Sequence, residues 1–284
     1  MTSRCHLFTI LFLSLFSASV LTAELPHAGR QSAVQPPATD ALPPHASFES
    51  ASAALKETRH INVYTPPDYA NGTANYPVLY MPDGGLDEDF PHVAAAVDRA
   101  IRDGRMRALI LVGIANTERR RDMTGPTEVA EDRKIAPRVG GSAAFRRFLR
   151  DELLPEIASR YRVTDERAIV GESLAGLFVL ETCTQEPDLF GTCVALSPSL
   201  WWNRGALLHA LRAQLKARSG WRARWYVATA GDDQIGGEAD ALRAILIAGA
   251  PASMRWQIDA RPDLRHDNIY RTLAPEVLPR LFQP

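Results

Sequence analysis

"RAIVGESLAGLFVLE", residues 167–181, sets a serine among small residues where a β-branched apolar run gives way to a helix-like one. Serine favours helix N-caps and glycine favours turns, so G-x-S ahead of a helix is common and means little alone. The order of the parts carries more. "RAIVG" reads as a short buried strand and "LAGLFVLETC" as an amphipathic helix, with Ser173 in the tight turn between them. That is the setting a G-x-S-x-G nucleophile elbow demands. The turn is strained, so the positions two before and two after the serine must be small. They are Gly171 and Ala175, with Gly176 next. Ser173 is thereby the candidate nucleophile.

Outward from this unit, strand-like and helix-like segments alternate. "RHINVYTPP" (59–67) and "YPVLYMPDGG" (76–85) precede a helix over about 89–102, then come "RALILVGIA" (107–115) and a long helix expected over 142–162. After the elbow follow "TCVALSPS" (192–199), a helix over 205–217, "ARWYVATAG" (223–231), a helix near 237–248, "MRWQIDA" (254–260) and a terminal helix. Alternation of this kind predicts an α/β fold, a mostly parallel central sheet with helices on both faces.

The 284 residues are 46% hydrophobic, enough for a full core, and the formal net charge of -1 points to neither nucleic acid nor an anionic membrane as partner. The first 23 residues have Arg4 before an apolar run from Leu7 to Phe16 and small residues ending at Ala23, the pattern of a secretory signal peptide. That run is shorter than the ~20 residues a spanning helix needs, so no membrane span is expected after cleavage. Cys5 precedes the run rather than ending it, which argues against a lipoprotein. Residues 24–47, rich in Pro, Ala and Ser, read as a flexible lead-in, and one domain is expected over 48–284. A periplasmic or secreted location follows. There Cys183 and Cys193 are either bridged across "TQEPDLFGT" or two buried thiols.

Ligands of such sheets bind beyond the carboxyl ends of the strands. A serine nucleophile needs a base, and of the seven histidines only His266 falls in the loop after the last strand, where a Ser–acid–His order puts it. The acid should follow "WYVATAG", where Asp232 and Asp233 lie; Asp233 is the better placed, Asp232 the better turn former, and Glu238 a weaker alternative. The Leu174 amide is one expected oxyanion donor, with a second from Gly85 or Leu86 in the loop after "VLYMPDGG". "NTERRRD" and "SPSLWWN" read as substrate-side features. Arg121 is the arginine expected to bind a carboxylate or phenolate, with Arg119 and Arg120 solvated. Trp201 and Trp202 are candidates for an aromatic wall, one of them expected to fill core instead.

The ordered set "ETRHINVYTPPDY", "YPVLYMPDGG", "VGIANTERRRDMTGP", "GGSAAFRRFLRDELLPEIASRYRV", "RAIVGESLAGLFVLE", "PDLFGTCVALSPSLWWN" and "RHDNIYRTLAPEVL" resembles the esterase-D-like α/β-hydrolases, in particular the group containing trilactone siderophore esterases. The resemblance spans nearly all of the expected domain and implies an α/β-hydrolase fold with Ser173 as nucleophile and His266 as base. Together with the signal segment this gives an expected exported serine carboxyl-ester hydrolase of a small-molecule ester, and no metal or organic cofactor is expected because no ligand-like cluster of His, Cys and acidic residues appears. The chain departs from the group's pattern in three places. Glu172 stands where many relatives have His, the loop "DMTGPTEVAEDRKIAPRVGG" is long, and Gln234 stands where relatives often have their acid, which keeps a Ser–His pair open. Alternatives are a carbohydrate or feruloyl-type esterase, an acyltransferase, or a catalytically idle protein that binds an aromatic ligand.

Overall fold

The computed structural model describes residues 41–233 and 236–284. The expected signal segment 1–23, the lead-in up to residue 40, and Gln234 lie outside the described residues. Among the described residues the strands are β1 (His45–Ser52), β2 (Glu57–Tyr64), β3 (Tyr76–Pro82), β4 (Ile110–Ile114), β5 (Val163–Glu172), β6 (Thr192–Leu196), β7 (Ala223–Ala230) and β8 (Met254–Arg261). The helices are α1 (Phe90–Arg102), α2 (Arg119–Asp122), α3 (Ser142–Arg147), α4 (Leu154–Arg160), α5 (Leu174–Gln185), α6 (Trp202–Ala217), α7 (Gly236–Gly249) and α8 (Ile269–Leu281).

The strands form one sheet in the order β1-β2-β4-β3-β5-β6-β7-β8. β2 runs antiparallel to both β1 and β4, and every pairing from β4 to β8 is parallel. Alternation along each central strand feeds two cores. Val78 and Tyr80 of β3 join Phe145, Phe178 and Leu211 from α3, α5 and α6 on one face. Leu79 and Met81 join Phe90 and Val97 of α1 and Leu273 of α8 on the other. Strands covered on both sides read as unbroken apolar runs, which is why β4 and β6 are buried throughout.

Two expectations are corrected. The segment 24–47 does not stay a lead-in to its end, because β1 starts at His45. β1 is an edge strand with only Ser50 and Ser52 buried, so its sequence carries little hydrophobic signal. The helix expected over 142–162 is α3 and α4 joined by a π-helical turn, Phe148–Leu153. Pro155 has no N–H to give the Asp151 carbonyl, and the ladder widens just ahead of it. The expected helix over 205–217 is the regular part of α6, entered after Trp202 through left-handed residues Asn203, Arg204 and Gly205.

Cys183 near the end of α5 and Cys193 in β6 are joined by a disulfide, with Cα atoms 6.7 Å apart. The bridge closes the elbow helix onto the strand beside it.

Candidate active site

β5 delivers the chain to the carboxyl edge of the sheet and Ser173 turns it back into α5. Its backbone sits at φ 60°, ψ -120°, a left-handed conformation costly for a residue with a side chain. The packing around it enforces the turn. The Ser173 amide donates to the Leu196 carbonyl at 2.9 Å, and the Ser173 carbonyl accepts from Leu177 and Ser199 at 3.0 Å each. A Cβ added at Gly171 would come within 2.8 Å of the Ala175 backbone, so the small residues of the motif are a steric requirement.

The structure brings Ser173, His266 and Asp233 together. His266 Nε2 lies 3.0 Å from Ser173 Oγ, and His266 Nδ1 lies 2.7 Å from Asp233 Oδ1. The second oxygen of Asp233 accepts from the Ala230 amide at 2.7 Å. Asp232 takes a different part: its Oδ1 accepts from the His266 backbone amide at 2.7 Å, tying the loop after β8 to the loop after β7. Glu238 lies in the first turn of α7 with no bond to His266. Burial pushes the Asp233 carboxyl up, but hydrogen bonds from His266, Ser197 and Ala230 hold it below the ordinary carboxylate range. The bond to Asp233 in turn raises His266 above the usual imidazole value, against the opposing effect of its burial.

The loop after β3 is packed against the sheet. A Cβ on Gly84 would meet the Ile114 nitrogen at 2.2 Å, so only glycine permits this approach. The Gly85 amide, an expected oxyanion donor, donates to Glu88 Oε2 at 2.7 Å and is corrected. The carboxylate of Glu88 reaches back three residues and occupies it. That leaves Leu86 as the remaining candidate donor from this loop. Leu174 is the first residue of α5, so its amide has no acceptor within the helix.

The substrate-side expectations divide. Trp202 is buried, and its indole N–H donates to the Gly125 carbonyl at 2.9 Å, so of the two tryptophans it is the one that fills core rather than lining a wall: it anchors the long loop to α6. Trp201 is 37% exposed, on the loop whose Ser199 amide bonds the Ser173 carbonyl. Arg121 is corrected. Its guanidinium holds Glu57 through two nitrogens at 2.8 and 3.1 Å and Asp122 at 2.7 Å, so its charge is already matched by two carboxylates of the protein. Beneath it Arg59, fully buried, pairs with Asp122 and with Glu57. Arg119, expected in solvent, instead grips both oxygens of Asp83 at 2.7 Å and approaches the Glu172 carbonyl at 3.4 Å. Arg120 donates to the Ile135 carbonyl.

Sequence reasoning missed Ser197, Asp83 and the chemical role of Glu172. Ser197 is buried at the end of β6 with φ 41°, and its hydroxyl serves the Ala230 amide and Asp233. Asp83 orients Arg119 and Asn116. Glu172 Oε1 lies 3.8 Å from His266 Nε2, and burial pushes its carboxyl up to about 7 against the pull of His266. Its position directly before the serine was the available signal. Among the described residues no group of three or more His, Cys, Asp or Glu side chains is arranged to hold a metal ion.

Comparison with known proteins agrees with this architecture. The family model described as "Putative esterase" matches residues 52–262. The ferri-bacillibactin esterase BesA of Bacillus subtilis is 36% identical over 160 residues, covering 51% of this chain and 53% of the relative. The siderophore triacetylfusarinine C esterase of Aspergillus fumigatus is 28% identical over 162 residues, covering 53% of each. The chain spans about half the length of the curated relatives it matches. Among solved structures, an IroE-like serine hydrolase from Shewanella oneidensis superposes with a TM-score of 0.74 at 24% identity, over 84% of this chain and 80% of the other. With a matched segment that takes in β5, the elbow and the sheet through β8, the chain belongs to this esterase family and has the α/β-hydrolase fold.

Proposed function

We propose that the chain is a serine carboxyl-ester hydrolase in which Ser173 attacks the ester carbonyl and His266 takes its proton. One observation carries this reading: a single imidazole lies 3.0 Å from the elbow hydroxyl and 2.7 Å from a carboxylate. Asp233 holds the proton on Nδ1, so the lone pair of Nε2 faces Ser173 Oγ. As the Oγ–C bond forms, the proton moves to Nε2. Negative charge builds on the former carbonyl oxygen, where the amides of Leu174 and Leu86 are the candidate donors. The imidazolium then protonates the departing alcohol, leaving an acyl-enzyme that water cleaves by the same steps in reverse.

The substrate is read as an aromatic or siderophore ester. Support comes from Trp201, exposed beside the elbow, and from relatives named as siderophore esterases. The Cys183–Cys193 disulfide supports export to an oxidising compartment. Reaction with a fluorophosphonate probe tests the nucleophile: labelling is expected at Ser173, lost in Ser173→Ala. Rates across short aryl esters, feruloyl sugars and a trilactone siderophore test the substrate class. A folded protein that neither labels nor hydrolyses any of these refutes the proposal.

A further inference from the structure

Glu172 is the carboxylate next to the imidazole that the acyl transfer above does not use. Its Oε1 lies 3.8 Å from His266 Nε2, the same nitrogen that faces Ser173 Oγ at 3.0 Å, while Asp233 holds Nδ1 at 2.7 Å. The ring thus sits between two carboxylates, one at each nitrogen. Their surroundings differ. Asp233 is steadied as an anion by the Ala230 amide and Ser197, whereas the Glu172 carboxylate accepts no hydrogen bond from any described residue.

The charged and titratable groups facing Glu172 come from four parts of the fold. Arg119 of α2 favours its ionisation, but one edge of that guanidinium, Nε and Nη2, is bonded to Asp83. Asp83 and Asp89 of the loop after β3 oppose it. Tyr270 of α8 is buried and neutral, its hydroxyl pushed well up by burial and by these acids. His266 is the remaining partner, and the one that can exchange a proton.

We propose that Glu172 is a positioning residue for His266: it competes with Ser173 for Nε2 and shares one proton with that nitrogen. When the pair carries the proton on Nε2, the N–H is drawn to the carboxylate and the ring cannot accept from Ser173. When the proton passes to Oε1, directly after a small rotation or through a bridging water, an N–H bond breaks, an O–H bond forms, and the lone pair returns to Nε2. The site is then competent, with no added charge beside the incoming ester. At higher pH the proton leaves altogether, and the carboxylate becomes a second counter-ion to the imidazolium that forms during attack. The proposal rests on the reading of Ser173 as nucleophile and His266 as base.

The test separates the two readings. In Ser173→Ala protein, the His266 ring is titrated by NMR with Glu172 present and in E172Q. Removing an anion beside an imidazolium makes proton loss easier, so the midpoint is expected to fall by roughly one pH unit in E172Q. In the presence of Ser173, the acid limb of kcat/KM on a neutral aryl ester is expected to move to lower pH by the same amount, and the plateau to fall by up to about tenfold with loss of the second counter-ion. E172D, which keeps a shorter carboxylate, is expected to show a smaller shift, and it serves alone if E172Q does not fold. An unmoved His266 midpoint in a folded variant overturns the proton sharing and leaves the hydrolase reading intact. Because the titration needs no turnover, a protein that hydrolyses no ester sinks the hydrolase and still reports on the pair.

Discussion

The two halves of the candidate site are built by different means. The nucleophile half, β5–Ser173–α5, is held by backbone packing: Gly171 against Ala175, the Ser173 amide on Leu196, the disulfide at the far end of the helix. The base half is held by side chains. His266 is 45% exposed and is placed by two adjacent aspartates, one on its ring and one on its backbone amide. The first half tolerates little change in volume. The second depends on charge and on hydrogen-bond direction, so conservative changes there separate function from folding.

The contrast breaks most visibly at the reacting atoms. Ser173→Ala and His266→Ala are each expected to lower ester turnover by on the order of 10⁴–10⁶-fold, with the double variant no worse than either single one. Steady-state hydrolysis beside a circular dichroism melt checks this, and wild-type-like turnover in a folded Ser173→Ala protein ends the serine mechanism. Within the base half, Asp233→Asn is expected to cost up to ~10⁴-fold, because the amide can hold the wrong imidazole tautomer. Asp232→Asn keeps an oxygen for the His266 amide and is expected to stay within a few-fold. If both aspartate variants keep near-normal rates, a Ser173–His266 pair is the better account.

The nucleophile half is sharpened by its cross-link. Replacing Cys183 and Cys193 together by serine is expected to lower unfolding stability by roughly 2–3 kcal/mol, from the loop entropy returned to the unfolded chain. Turnover at low temperature should survive, since the elbow is set by backbone contacts. Denaturant melts with and without reductant measure the loss, and an unchanged midpoint refutes it. The smallest effect is expected at the mouth. Trp201→Ala should weaken binding of an aromatic ester by about 0.5–1.5 kcal/mol, read as a higher KM with kcat nearly kept. Equal loss on aliphatic and aromatic esters counts against an aromatic wall.

What the sequence made legible follows the same division. Strand, serine and helix of the elbow are local, so residues 167–181 sufficed to place Ser173. His266 and the aspartates were found from chain order, since a parallel sheet brings successive strand ends to one edge. Asp233 was preferred to Asp232 from the sequence, and the coordinates put its carboxylate on the ring and that of Asp232 on the backbone amide. The arginines were misassigned for a physical reason. "ERRRD" does not reveal that Glu57 and Arg59, some 60 residues earlier on the neighbouring β2, reach Arg121 and Asp122. Gly85 failed on a local bond to Glu88 that a turn-forming sequence conceals. β1 was passed over because an edge strand has few apolar positions to display.

Those arginine pairings bear on how a charged ester would approach. Arg59, Arg121, Glu57 and Asp122 form a quartet of two cations and two anions with no net charge, so its field decays faster with distance than that of a free ion. Arg119 is cancelled by Asp83, Arg133 faces Glu128, and Arg138 faces Glu118. Of the triple arginine, Arg119 and Arg121 are paired with carboxylates, while Arg120 donates to the Ile135 carbonyl. A loop that looks strongly basic in one dimension thus offers little long-range attraction in three. Capture of an anionic ester at this loop would depend on collision and short-range contact more than on electrostatic steering, with correspondingly weak dependence of the encounter rate on salt.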